Sequence, residues 1–261
     1  MRPAPPTVDC WTSVASPWAW LGSGRFLALA TARQLPVRVL PVHLEQVFGA
    51  SGGVPFRQRS AARQSYRQLE LQRWSRHLGV PITLQPRCYP VDRAPASRLL
   101  IALRHSGTDP MGHGALTLLH AILRAIWVED RDIADRDTLS AIAQAQGLDA
   151  EGLLQAAAQP DTAAQFEADT QAAIAAGVFG APTWVLDGER FWGQDRLDFL
   201  QAALDDRAQH RGAAPCPALG SDEGRRPGRQ RPGAQAPDPA RQPPDGEGAA
   251  QRAGMEPGSG R

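Results

Sequence analysis

Two short segments carry the residues best suited to chemistry. The first is Ser16-Pro17-Trp18, which follows a short apolar run. Serine fits a helix N-cap and proline the first helical position, so a helix begins there. A hydroxyl at that point can donate a hydrogen bond to an anion, and the helix N-terminus adds a favourable field. The second segment is Gly177-Val178-Phe179-Gly180-Ala181-Pro182-Thr183-Trp184-Val185, where a helix gives way through a proline to a strand. A cis bond before Pro182 would aim the backbone N–H and C=O of Ala181 outward, where an extended peptide can pair. Both segments also have plain readings: Ser-Pro is a common helix start, and proline at a helix-to-strand junction is ordinary. Ser16-Pro17-Trp18-Ala19 holds no cysteine and no C-x-x-C occurs anywhere, which argues against disulfide exchange. Any sulfur handled at Ser16 must then come from a ligand.

The elements that would position these residues follow from patterning. Val8 to Val14 reads as a first strand, and the Ser16 helix runs to about Arg33 before Pro36. Val37 to Val42 alternates as a second strand, and the strand-helix-strand order favours a parallel pair. A loop around Gly49–Pro55, centred on Gly52-Gly53, precedes a long helix from roughly Arg59 to Leu78, stopped by Gly79. Residues 95–176 are almost entirely helical in pattern, with Leu116, Leu119, Ile122, Leu123, Ile126 and Trp127 forming one apolar stripe. Thr183–Leu186 and Arg190–Trp192 flank the turn signal Asp187-Gly188 and form a hairpin. A closing helix follows Gly193. An α/β unit is therefore interrupted by a helical block.

Composition narrows the possibilities. The chain has 261 residues, 42% of them apolar, enough for a real core. A formal net charge of +1 argues against a general nucleic-acid or membrane-surface binder. No stretch approaches a membrane span, and residues 1–7 lack an apolar signal core, so a cytoplasmic protein is expected. Cys10, Cys88 and Cys216 are widely separated, and three cysteines do not make a disulfide framework, so a reducing compartment fits. His43, His77, His105, His113 and His120 show no metal-ligand pattern. Residues 208–261, rich in glycine, proline and arginine with only Leu219 and Met255 as large apolar groups, are expected to be disordered.

Several motifs together resemble the 2-hydroxychromene-2-carboxylate isomerases, which group with the kappa-class glutathione transferases in the DsbA-like branch of the thioredoxin superfamily. They are Ser16-Pro17-Trp18, Leu71-Gln72-Arg73-Trp74, Ala125–Asp130, Gly177–Thr183 and Phe191-Trp192-Gly193-Gln194-Asp195-Arg196-Leu197. The resemblance covers about 9–205. It implies an α/β, thioredoxin-like fold with an inserted all-helical domain. Residues 7–52 and 160–207 would form the thioredoxin-like part, 53–159 the insert, and 208–261 the tail. It also implies a homodimer that binds glutathione and isomerises an aromatic small molecule by reversible thiolate addition, without net redox change. The alternatives are a kappa-like transferase acting on other electrophiles and a non-catalytic glutathione- or peptide-binding module.

Carried over by position, Ser16 resembles the serine beside the glutathione sulfur. Ala181 precedes the expected cis-Pro182 and would pair with the cysteinyl part. Trp192, Gly193, Gln194 and Asp195 match the stretch holding the γ-glutamyl end. Asp195 is either a counter-ion for the γ-glutamyl ammonium or a first-turn acid that suits the helix dipole. Arg63 stands where a lysine is usual and either forks onto a carboxylate or lies on a solvated face. Trp18, Trp20 and Trp74 either line the substrate pocket or pack in the core. The chain departs from the family pattern at Ser13, where an aspartate is frequent, and at Gly52-Gly53-Val54-Pro55, which lacks an asparagine.

Overall fold

A computed structural model describes residues 6–212. The central layer is a four-stranded sheet of β1 (Val8–Thr12), β2 (Val37–Pro41), β3 (Thr183–Leu186) and β4 (Glu189–Trp192), in the spatial order β2-β1-β3-β4. β1 and β2 are parallel, in register Val8 to Val37 through Thr12 to Pro41. Their crossover is α1 (Pro17–Arg33). β3 runs antiparallel to β1, with Trp11 opposite Thr183, and β4 completes the hairpin expected around Asp187-Gly188.

The first crossover confirms its sequence signals closely. Ser16 has extended backbone angles, and its hydroxyl accepts a hydrogen bond from the Ala19 N–H at 3.2 Å. Pro17 occupies the first turn, where its missing N–H costs nothing. Gln34 closes the helix in a left-handed conformation.

One element falls where a loop was expected. α2 (Leu44–Ser51) runs into the Gly49–Pro55 segment and stops only at Gly52, whose φ of +73° suits glycine. Its N-cap, His43, makes no side-chain capping bond, so neither a Ser/Thr/Asp signal nor length announced it. α3 (Ala61–Leu78) begins slightly later than expected, with the Ser60 hydroxyl accepting from the Arg63 N–H at 3.4 Å. A 3₁₀ turn, Phe56–Gln58, lies between α2 and α3.

The helical block continues through α4 (Ala94–His105), α5 (His113–Trp127), α6 (Arg136–Ala145) and α7 (Ala150–Ala157) to α8 (Pro160–Ala175). The Leu116 to Trp127 stripe is buried, and it belongs to one apolar cluster that also holds Cys10, Leu21, Phe26, Leu99 and Trp184. Sheet and helical block thus share a core, with α5 packed along α1. Two histidines sit in this contact region. His113 Nε2 donates to the Leu35 carbonyl at 2.8 Å, and His120 Nδ1 lies 2.8 Å from the Ser23 hydroxyl while its ring stacks on Trp20. Burial, helped by the Arg124 charge, pushes the His120 imidazole below its ordinary value.

α9 (Leu197–Gly212) closes the described chain. It extends the helix past residue 207, so residues 208–212 are helical rather than part of an irregular tail. The remainder of the expected tail, with Cys216, lies outside the described residues. Among the described residues, no helix is long and apolar enough to cross a membrane.

Cys10 lies inside β1, 3% exposed. Burial pushes its thiol up to about 12, against a lowering contact from Trp184, with the Asp9 charge adding to the rise. Cys88 is only half-buried. Alkylation of the native protein by iodoacetamide at pH 8, read by mass spectrometry, is therefore expected to label Cys88 and leave Cys10 unmodified until denaturant is added. Labelling of Cys10 at a rate equal to Cys88 would contradict this burial.

Candidate functional site

The two segments singled out in sequence meet beside the first turn of α1. The Ala181–Pro182 bond is cis. The Ser16 hydroxyl donates to the Ala181 carbonyl at 3.4 Å, a long bond between residues 165 positions apart. Ser16 is 7% exposed, so its oxygen faces a confined space rather than bulk water. Three contacts brace the proline loop. The Thr183 hydroxyl donates to the Gly180 carbonyl at 2.8 Å, the Gly193 N–H donates to the Pro182 carbonyl at 2.9 Å, and Phe179 sets its ring edge-on to Trp192 at 4.7 Å. The Ala181 N–H has no hydrogen-bond partner among the described residues.

Three adjoining hollows open from this point. An inner cavity of about 180 Å³ is lined by Ser13, Ser16, Trp18, Glu45, Phe48 and Phe56, with Arg59, Arg67, Tyr89, Arg93, Ala181 and Trp192 completing it. A cleft of about 380 Å³ runs along Ala181 and Trp192–Arg196, with Trp18, Arg59 and Trp74 opposite. An outer groove of about 810 Å³ passes between Gly52-Gly53 and the face of α3 carrying Arg63, Tyr66 and Arg67. Trp18, Arg59 and Trp192 border all three.

Ser16 and Ala181 thus share the inner cavity, while Pro182 is buried behind Ala181. Trp192, Gly193, Gln194 and Asp195 line the cleft. Gly193 has φ +107°, and a Cβ there would meet the Asp195 carboxylate at 2.5 Å, so glycine is required. Gln194 is 2% exposed, and Arg25 donates both to its backbone carbonyl at 3.3 Å and to its side-chain oxygen at 3.5 Å. Asp195 sits in the 3₁₀ turn Gln194–Arg196 before α9 and is already paired with Arg196 at 2.8 Å. Arg63 is exposed and reaches only the outer groove. Trp18 is a wall of every hollow and Trp74 of the cleft. Trp20 is core, with its indole N–H donating to the Pro81 carbonyl at 2.8 Å.

Sequence reading missed the most prominent charges of the cavity. Arg59 and Arg67 line it, yet neither has a carboxylate partner among the described residues. The Arg59 Nε donates to the Val54 carbonyl at 2.8 Å, and Arg67 lies 4.2 Å from the Phe56 ring centre. Burial pushes the Arg67 guanidinium below its ordinary value, the Tyr89 phenol offsets part of that, and the Arg59 charge adds to it. The available signal was the spacing of Arg59, Arg63 and Arg67 by fours, which puts them along one side of a helix and its entry. Glu45 is different. Arg93 grips it through both guanidinium nitrogens, and although burial works against the Glu45 charge, that fork holds its carboxyl below the usual range.

A serine hydroxyl at a helix start, a cis-proline loop and a sheet of this order define a thioredoxin-type site without redox cysteines. Residues 7–205 match the model of the DSBA-like thioredoxin domain, and the chain belongs to that family. It is 28% identical over 201 residues to the 2-hydroxychromene-2-carboxylate isomerase of Sphingobium xenophagum, covering 77% of this chain and 98% of that one. It is 26% identical over 216 residues to human glutathione S-transferase kappa 1, covering 79% and 94%. A solved structure of 2-hydroxychromene-2-carboxylate isomerase superposes with a TM-score of 0.65 at 26% identity, covering 78% of this chain and 97% of that one. The family resemblance and the thioredoxin-like fold expected from the sequence both hold.

Proposed function

We propose that this protein is a glutathione-dependent cis-trans isomerase of the 2-hydroxychromene-2-carboxylate isomerase type. The observation that carries the reading is the Ser16 hydroxyl, buried at a helix N-terminus and 3.4 Å from the carbonyl of Ala181. The residues present fit glutathione. The unpartnered Ala181 N–H offers an extended peptide a strand-like bond, and a Cβ on Gly180 would meet the Trp192 indole at 2.4 Å, so the loop and the tryptophan approach as closely as glycine allows. The relatives' names support the class of activity.

In this reading Ser16 and Ala181 hold the cysteinyl part, Pro182 fixes the Ala181 backbone, and Trp192 to Asp195 flank the γ-glutamyl end along the cleft. Arg63 stands at the mouth of the outer groove for a carboxylate. Bound glutathione would supply a thiolate that adds reversibly to a conjugated alkene and so frees one carbon–carbon bond to rotate. Ser16 does the electrostatic work. Lowering a thiol pKa by about two units from ~8.5 requires roughly 2.7 kcal/mol of preference for the anion. A charge-assisted bond from the Ser16 hydroxyl contributes roughly 1.5–3 kcal/mol, and the α1 N-terminus about 0.3–1 kcal/mol. Turning the hydroxyl from the Ala181 carbonyl to sulfur sacrifices only the long 3.4 Å bond. Trp18, Phe48 and Phe56 then offer the substrate aromatic and apolar walls.

A homodimer and a cytoplasmic setting complete the proposal. The latter is supported by Cys10 and Cys88, both free thiols. Titration calorimetry with glutathione tests the whole: saturable binding is expected, and no heat at millimolar concentration would remove the cofactor. Assays with chromene carboxylate and with a simple aryl halide then separate isomerase from transferase, the former substrate being favoured.

A further inference from the structure

Arg67 lines the inner cavity without a carboxylate partner among the described residues. The half-buried Arg67 guanidinium lies 4.2 Å from the Phe56 ring centre beside the Tyr89 phenol. Two other partly shielded cations are matched, whereas the buried Arg98 Nε, like Arg67, has no carboxylate partner among the described residues. Arg104 has Asp169 at 2.7 Å, and Arg93 has Glu45. A desolvated charge without a counter-ion is costly, and a site that retains one is built to receive an anion.

The position of Arg67 says which anion. The peptide cleft beside Gly193, Gln194 and Asp195 does not include Arg67 or Tyr89. The inner cavity, which Ser16 lines, includes both, with Trp18, Phe48 and Phe56 among its walls. The cavity thus sets aromatic walls beside a fork-shaped cation, a phenol and the hydroxyl that would hold sulfur, and Glu45, which also lines it, is already held by Arg93. We propose that Arg67, with Tyr89 beside it and Arg59 on the same cavity, seats the carboxylate of the electrophile, and that this seat makes the site selective for conjugated aromatic acids over neutral electrophiles. The inference rests on the glutathione reading for what occupies the cleft. The carboxylate could instead be the glycyl end of glutathione, which the experiment must separate.

Binding of trans-cinnamate and of methyl cinnamate, followed by quenching of tryptophan fluorescence from Trp18 and Trp192, gives a readout that needs no turnover. The wild-type protein should bind the acid about tenfold or more tightly than the ester, as expected for a charge-assisted pair. Arg67→Met should abolish that preference, and Arg67→Lys should keep only part of it because the fork is lost. Tyr89→Phe, which leaves the cation in place, should reduce the preference by roughly threefold, and it carries the test if Arg67→Met does not fold. Glutathione affinity by calorimetry should stay within about twofold in every variant. Equal binding of acid and ester by the wild type would overturn the proposal. So would an Arg67→Met protein that keeps the preference, or one that instead loses glutathione tenfold, which would give the cation to the tripeptide. A wild type that prefers the acid but never binds glutathione would sink the cofactor reading and leave this seat standing. One that binds glutathione without preferring the acid would do the reverse.

Discussion

Ser16→Ala should lower turnover about 10- to 150-fold, the equivalent of one charge-assisted hydrogen bond of roughly 1.5–3 kcal/mol lost from the thiolate. Two effects overlap in this variant and can be separated. The hydroxyl also accepts from the Ala19 N–H, so its removal uncaps α1 and should cost roughly 1 kcal/mol of stability. Ser16→Gly removes the same donor but costs only a few tenths of a kcal/mol as a cap. The two variants should therefore be equally poor catalysts while differing in denaturation midpoint. The direct readout is the pH dependence of thiolate absorbance from bound glutathione. With Ser16 present, the thiol should ionise below free glutathione. In either variant, the transition should move up toward the free value. An unchanged transition and wild-type turnover in Ser16→Ala would leave a glutathione- or peptide-binding module as the better account.

Arg104→Met should produce the largest loss of stability, about 3–5 kcal/mol, because it strands a buried carboxylate. Arg104 reaches from α4 to two elements at once. One guanidinium nitrogen donates to the Val39 carbonyl of β2 at 3.0 Å, and another pairs with Asp169 of α8 at 2.7 Å. The side chains are 15% and 7% exposed, so water cannot replace the lost partner. After substitution Asp169 keeps only the Gln165 amide, at 2.8 Å. Urea denaturation followed by circular dichroism should show the midpoint falling with little change in slope. Replacing both members, Arg104→Met with Asp169→Leu, should recover much of the loss, since the penalty lies in the orphaned charge rather than in the missing attraction. A double variant no more stable than the single one would argue instead that the Val39 contact holds the layers together. α8 leads into the proline loop, so loosening it should weaken glutathione binding as well, by a smaller factor than Ser16→Ala weakens turnover.

Local chemistry was written plainly in the chain. Ser16 and Pro17 define a helix start through cap geometry and a fixed φ, both short-range effects. Asp187-Gly188 defines a hairpin in the same way, and the heavily apolar stripe of α5 could only be a buried helix. The motifs around Pro182 and Trp192 were legible as family signatures, and the cis bond and the meeting of Ser16 with Ala181 followed from the fold they implied. α2 was not legible. Its eight residues carry no capping signal and contain Gly49, and what holds it is tertiary: Val47 is fully buried against the α8 side of the sheet. Only the assembled molecule could say which arginines matter. Arg59, Arg63 and Arg67 look alike in sequence, and an arginine's role depends on how much water its guanidinium keeps. Folding leaves Arg63 in solvent, while it half-buries Arg59 and Arg67 and sets both on the inner cavity, Arg67 beside Tyr89. Desolvation is a property of surroundings contributed by distant segments, so no local pattern encodes it.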